Sequence, residues 1–394
     1  MKRFLLTLCV FITVSIIEVQ SQWIQKSDFT GKERSGAVSF TIGTKAYIGL
    51  GNDGNGKYLN DFWEYDSNSD TWTRKANFAG GARELAVGFS IGSKGYVGTG
   101  LDSTSTYRKD FWEYNPSSDK WTQKTDFEGL ERAMAVGLSI DSKGYIGTGR
   151  RYSGAYYKDF WEYDTLSNTW TQKADFSSTA RGGAVGFSIG SIGYIGTGYT
   201  GTYKKDFWAY DPQSNTWQQK TNFGGSVRGY AIGFSIGSKG YIGTGWESGV
   251  GTHIDFWEYD PIAYTWKQNA DFSGTGRDNA VGFSIGTKGY ICTGSDNTIC
   301  YKDFWQFSPL ISALNDSKEL NKFKIYPNPT NREITIESAE NTTVQLLNIQ
   351  GQVIKEIRIK TEKETIDMSE LEANIYFLKA ENNNDFKLTK VIKL

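Results

Sequence analysis

The sequence predicts an all-β protein: a six-bladed β-propeller of four-stranded blades, the last blade closed by the N-terminal strand, followed by a small C-terminal β-sandwich. Three observations predict it. A heptapeptide close to KDFWEYD recurs with its Asp at 61, 110, 159, 206, 255 and 303, in steps of 49, 49, 47, 49 and 48 residues, and self-similarity at such a period marks a repeat architecture. Aromatic content reaches 15% and Gly 45 residues, against only 6 Pro, a profile of short strands, Gly turns and stacked rings. After Phe307 the repeat stops and a different series of short strands begins.

The first element is the stretch MKRFLLTLCVFITVSIIEVQSQ. Lys2 and Arg3 precede an apolar run to Ile17, and Val19 and Ser21 supply small residues before Gln22. Residues 1–21 are therefore expected to be a secretory signal peptide, too short in its apolar part to span a bilayer. No later segment is apolar for long enough to cross a membrane as a helix.

Each repeat then reads as four strands. From residue 168 the order is NTWTQKADF, AVGFSIG, SIGYIGTG, a variable loop, and KKDFWAYD; the runs are too short for helices and are separated by Gly. In DFWEYD the side chains alternate, Phe160 and Glu162 on one face and Trp161 and Tyr163 on the other, so both faces must be covered. Four antiparallel strands packed face to face with like units describe a propeller blade. The mature chain opens on WIQKSDF, an outer strand without its inner three, and the array ends on DFWQFS, an inner trio without its outer strand. The two partial ends sum to one blade, and neither carries the polar cap of an open solenoid. The ring is expected to span residues 22–308.

The pattern YIGTG…KDFWEYD…NTW, with an Arg before the next inner strand, resembles the kelch repeat across roughly residues 23–307, at a period of about 50 residues. The Gly pair of that repeat is here Gly-Thr-Gly, as in Gly147-Thr148-Gly149. The resemblance implies the fold; kelch rings serve unrelated functions.

Residues 309–321 read as a linker, and residues 322–394 as a β-sandwich of seven short strands. The tail resembles the type A C-terminal sorting domain of the type IX secretion system. The matching residues are Tyr326-Pro327-Asn328-Pro329, Asn348-Ile349-Gln350-Gly351, Ile375-Tyr376-Phe377 and the basic end Lys390 to Lys393; Ala373-Asn374 stands where that family usually has Gly. The resemblance implies recognition by the secretion machinery, removal after export, and release of the remainder or its attachment to the outer cell surface. A carbohydrate-binding or adhesive sandwich is the alternative.

The chemistry is sparse. A net charge of −1 gives no reason to expect nucleic acid or an anionic membrane as partner. His253 is the single His, which excludes multi-His metal sites, and no G-x-S-x-G, P-loop or dinucleotide motif is present. Neither metal nor cofactor is expected. Cys292 and Cys300 replace residues of other types in the same repeat, flanking GSDNTI; a cross-hairpin disulfide is expected in an oxidising compartment, with free thiols as the alternative.

An Arg enters each inner strand: Arg34, Arg83, Arg132, Arg181, Arg228 and Arg277. Six guanidiniums at one channel mouth can clamp an anionic ligand; alternatively each pairs with the recurring Asp and locks the repeat. Specificity is expected where the repeats disagree, in loops carrying Arg151, Tyr152, Trp246 and His253, whose aromatic rings suit a sugar face or a peptide. The expected function is an exported binding protein for a glycan or protein ligand. The rival is an enzyme, a hydrolase, lyase or epimerase of acidic sugars, using an Arg-rich mouth.

Overall fold

The computed structural model describes residues 22–151, 154–309, 324–337, 342–348, 353–359, 361, 363–382 and 385–394. The expected signal peptide, all but the first residue of the expected linker, and Tyr152 lie outside them. Among the described residues every element is a strand, and none is a helix able to cross a membrane. The chain divides into two compact units, one ending at Pro309 and one beginning at Leu310.

The first unit is built from repeated four-stranded antiparallel sheets, the arrangement of propeller blades. Sheet I holds Val38–Ile42, Lys45–Gly49, Phe62–Asp66 and Thr71–Lys75 in that order. Sheets II to V repeat it from Val87, Val136, Val185 and Ile232. Sheet VI combines Val281–Ile285, Lys288–Cys292 and Phe304–Ser308 with the first strand, Gln22–Gln25. Trp23 stands opposite Phe307 in that pairing.

The recurring heptapeptide assembles each sheet. In sheet III, Phe160 and Tyr163 are fully buried, and Glu162 accepts a hydrogen bond from Tyr145 Oη at 2.6 Å. Tyr163 donates to Asn168 Oδ1 at 2.7 Å, in the turn before Trp170, and Asn168 in turn accepts from the backbone N–H of Thr125 in sheet II. Trp170 donates to Thr125 O, also in sheet II. Trp23 repeats that contact on Ala270 O, so the first strand is tied to sheet V as the other outer strands are tied to their neighbours.

Sheet-to-sheet packing explains one glycine of the repeat. A Cβ on Gly95, Gly144, Gly240 or Gly289 would lie within 2.1–2.4 Å of the ring of Phe40, Phe89, Phe187 or Phe234 in the preceding sheet. Only Gly leaves that seat open without displacing the ring. The innermost segments are joined by backbone hydrogen bonds running head to tail: Leu85 N to Gly36 O, Met134 N to Leu85 O, Gly183 N to Met134 O, Tyr230 N to Gly183 O, Asn279 N to Tyr230 O, and Gly36 N back to Asn279 O, all 2.8–3.0 Å.

The second unit packs two sheets on one core. Lys324–Tyr326, Glu333–Glu337 and Lys363–Asp367 form one; Val353–Arg358, Thr343–Leu347, Asn374–Asn382 and Asp385–Lys393 form the other. Ile334, Ile336, Val344, Leu346, Ile366, Leu378 and Val391 fill the space between them. Asn328 of the Tyr-Pro-Asn-Pro motif ties down the last strand, donating to Lys390 O at 2.7 Å and accepting from Ile392 N at 2.9 Å.

Candidate functional site

The six repeated Arg side chains are each 0% exposed. Each guanidinium forms a fork with the heptapeptide Asp: Nη1 to Oδ1 at 2.5–2.8 Å and Nη2 to Oδ2 at 2.7–2.9 Å. Nη1 also donates to the carbonyl of Leu50, Thr99, Thr148, Thr197, Thr244 or Thr293 at 2.8–3.0 Å. Those carbonyls belong to residues held at φ of 58–63°, a conformation that is costly for a β-branched side chain. Each guanidinium lies 4.9–5.0 Å from a Phe ring five residues upstream. The Asp accepts once more, from the indole N–H of the heptapeptide Trp at 2.7–2.8 Å. Burial pushes the carboxyls of Asp61, Asp206 and Asp255 up, but the Arg hydrogen bonds and charge outweigh it and hold them below the usual range.

This geometry is the Arg–Asp pairing expected as the alternative to an Arg-rich mouth. Arg34, Arg83, Arg132, Arg181, Arg228 and Arg277 have no exposed surface, and each fork is engaged by carboxylate, carbonyl and ring; of the six, Arg83 alone has an Nε without an acceptor. The expected disulfide is corrected: Cys292 and Cys300 are both free thiols. The register explains it, because Cys292 lies between Val281 and Phe304, whereas Cys300 pairs with Ser295 and turns its sulfur toward Asn52 O, 3.8 Å away. Burial pushes both thiols up.

The ring of backbone hydrogen bonds frames a cavity of about 150 Å³, lined by Gly36, Leu85, Met134, Gly183, Tyr230 and Asn279 and the Ala that follows each. All six residues have φ between 48° and 63°. A further cavity of about 210 Å³ is lined by the Ala-Val-Gly or similar triplet of each inner strand. The wall is thus small and repetitive, and chemical variety comes from three positions that differ between repeats: the residue before each ring residue, the residue after each Gly-Thr-Gly, and the loop residue paired with it.

Those positions distribute their side chains unevenly. On sheets III to V they supply Arg150 and Tyr156, Tyr199 and Tyr203, and Trp246. Tyr199 packs against Tyr203 at 4.8 Å and Tyr156 at 6.1 Å. On sheets VI, I and II they supply Asp278 and Ser295, Asn52 and Tyr58, and Glu84. Tyr58 Oη donates to Glu84 Oε1 at 3.3 Å, and Ser295 Oγ to Asp278 Oδ1 at 3.2 Å. Burial pushes both carboxyls above their usual range, more than these hydrogen bonds lower them.

Arg151 pairs with Glu131 at 3.0 Å and is exposed. Trp246 opens a two-residue ladder with Thr252. His253 sits beside Glu247 at 3.2 Å and Ser226 at 3.4 Å; burial and the Arg228 charge push it below its usual pKa. Sequence reasoning missed Tyr156, Tyr203, Tyr230, Glu84 and Asp278. A signal existed: the two residues between each Arg and the next Ala change in every repeat, although their flanks do not.

Residues 324–394 match the family described as "Secretion system C-terminal sorting domain", a domain that directs export through the type IX secretion system to the cell surface or beyond. No curated protein matches the chain. Among 518 matching chains of known structure, one reported as "Structure of YjhT" has a TM-score of 0.62 at 15% identity, covering 71% of this chain and 95% of that one. At that identity the likeness establishes the repeated-blade all-β fold and nothing of its use.

Proposed function

We propose that this chain is an exported binding protein: a closed six-bladed, kelch-like ring over residues 22–308 presents its channel mouth to a glycan, and residues 322–394 direct its secretion, with 1–21 as signal peptide and 309–321 as linker. The observation that carries this reading is the mosaic mouth. Repeats nearly identical in their strands diverge at three positions, which carry Arg150, Tyr156, Tyr199, Tyr203 and Trp246 on sheets III to V and Asn52, Tyr58, Glu84, Tyr107, Asp278 and Ser295 on sheets VI, I and II. Aromatic faces cover the C–H face of a pyranose while carboxylates and amides accept from its hydroxyls, the usual division of labour in a concave site.

A glycan-array screen of the purified full chain, at low and moderate salt, tests it. Selective binding that is lost in Tyr203→Ala supports the mouth; a blank array at micromolar protein removes the glycan and redirects the search to protein ligands.

A second reading rests on Glu84 and Asp278. Neither has a cationic partner among the described residues, and burial raises both. Carboxyls so perturbed suit general acid–base work, as an enzyme acting on sugars requires. Turnover assays on any array hit separate the two.

A further inference from the structure

We propose that Arg150, Tyr230 and Asp278 form a subsite for one carboxylate-bearing sugar, a uronic acid residue, at the channel mouth. The assignment rests on the glycan reading above and names its chemical class.

Arg150 occupies the position that is Asn52, Leu101, Tyr199, Trp246 and Ser295 in the other repeats. It is half-buried, has no carboxylate partner among the described residues, and its Nε is buried without a hydrogen-bond acceptor. In the six repeated Arg residues the fork is instead held by Asp and a backbone carbonyl, although Arg83 shares the unpaired Nε. An orphaned buried guanidinium donor is costly unless a ligand completes it.

Tyr230 supplies the second element. Its φ of 58° is unfavourable for a bulky residue, and it replaces a Gly of sheets I and IV. The conformation lays its ring across Gly183, so that a Cβ there would meet the ring at 2.6 Å. Arg150 and Tyr156 border the adjoining Gly182, at 3.4 and 3.6 Å from its absent Cβ. The Cβ of Arg150 and the rings of Tyr156 and Tyr230 therefore flank one Gly-Gly platform beside the cavity that Tyr230 lines.

Asp278 is the third. It is 6% exposed, faces no cation among the described residues, and keeps acceptor capacity beyond the Ser295 hydrogen bond. Its neighbour Asn279 joins Tyr230 through the backbone ring. Burial pushes the Tyr230 phenol up to about 12, so it is a neutral donor. A sugar carboxylate suits the planar Arg fork, its ring suits the phenol faces, and hydroxyls distal to the carboxylate suit Asp278. A bare anion would leave the aromatic wall unused.

Calorimetric titration of the purified full chain with D-galacturonate, tri-galacturonate and D-galactose tests the assignment. The uronates are expected to bind at least about tenfold more tightly than galactose, consistent with one charged hydrogen-bonded contact. Arg150→Gln should abolish that preference and leave galactose binding unchanged, while Arg150→Lys keeps part of it. Equal binding of galacturonate and galactose, or a preference that survives in folded Arg150→Gln, overturns the subsite. Neutral sugars bound at the mouth and lost in Tyr156→Ala would then keep the glycan reading alone, and no binding of any sugar would remove both. The trimer separates a polysaccharide end from a free acid: tighter binding of the trimer supports the former, equal binding the latter.

Discussion

Removing one repeated Arg should cost the ring several kcal/mol, and restoring apolar complementarity should return much of it. In sheet III, Arg132 gives Asp159 two hydrogen bonds at 2.7 Å, donates to Thr148 O at 2.8 Å and Leu130 O at 2.9 Å, and stacks on Phe127 and Tyr157 at 4.9 and 4.3 Å. Arg132→Met strands the Asp159 carboxylate and the Thr148 carbonyl. Breaking a buried pair costs about 3–5 kcal/mol, and because Asp159 keeps 22% of its side chain in water the lower end, about 3 kcal/mol, applies. Asp159→Leu should be worse, about 4–5 kcal/mol, since the fully buried guanidinium cannot reach solvent. The double variant Arg132→Met/Asp159→Leu should be more stable than Asp159→Leu alone, because no unpaired charge remains. Urea unfolding followed by Trp fluorescence gives all four corners of the cycle. A loss below about 1 kcal/mol for Arg132→Met, the value of an exposed pair, would refute the argument.

Three further outcomes follow from the same geometry. Trp23 packs at 5.0 Å against Phe256, Phe272 and Phe307, so Trp23→Ala should destabilise by about 3–5 kcal/mol; an unchanged melting temperature would show that the N-terminal strand does not hold sheet VI. Acid should weaken the ring: Asp61, Asp206 and Asp255 titrate below their unfolded value of 3.8, so their stabilisation is present above pH 3.8 and is lost as pH falls through the folded values. Stability that rises between pH 4 and 2 would contradict this. Alkylation without reductant should modify Cys292 and Cys300 once the chain is unfolded, as peptide mass spectrometry would read, whereas a peptide pair linked between them would refute the free thiols.

How much was legible in the sequence varies with the interaction involved. The period, strand order and aromatic faces follow from residue types at fixed spacing, since a short alternating run can only be a strand and a repeated Asp–Phe–Trp needs the same environment each time. The tail was legible through the Tyr326-Pro327-Asn328-Pro329 and Ile375-Tyr376-Phe377 stretches, short motifs recognisable as residue types in sequence. The Arg ring was half legible: its recurrence was plain, but an exposed fork and a saturated one are spelled alike. Cys292 and Cys300 misled because proximity in a hairpin does not reveal which residues the register sets opposite one another.

By itself, then, the sequence determined the repeat, the alternation within each strand and the partial units at the two ends, all consequences of local stereochemistry and composition. Tertiary structure alone decided which polar groups are saturated and which face the cavity. Arg132 and Arg150 are the same residue type 18 positions apart in the chain, yet one is enclosed by Asp159, Thr148 and Phe127 while the other is half-buried with Nε unpaired. That difference arises from contacts made mostly within one repeat but between residues 16 and 27 apart in the chain, where burial and hydrogen-bond saturation are settled by packing.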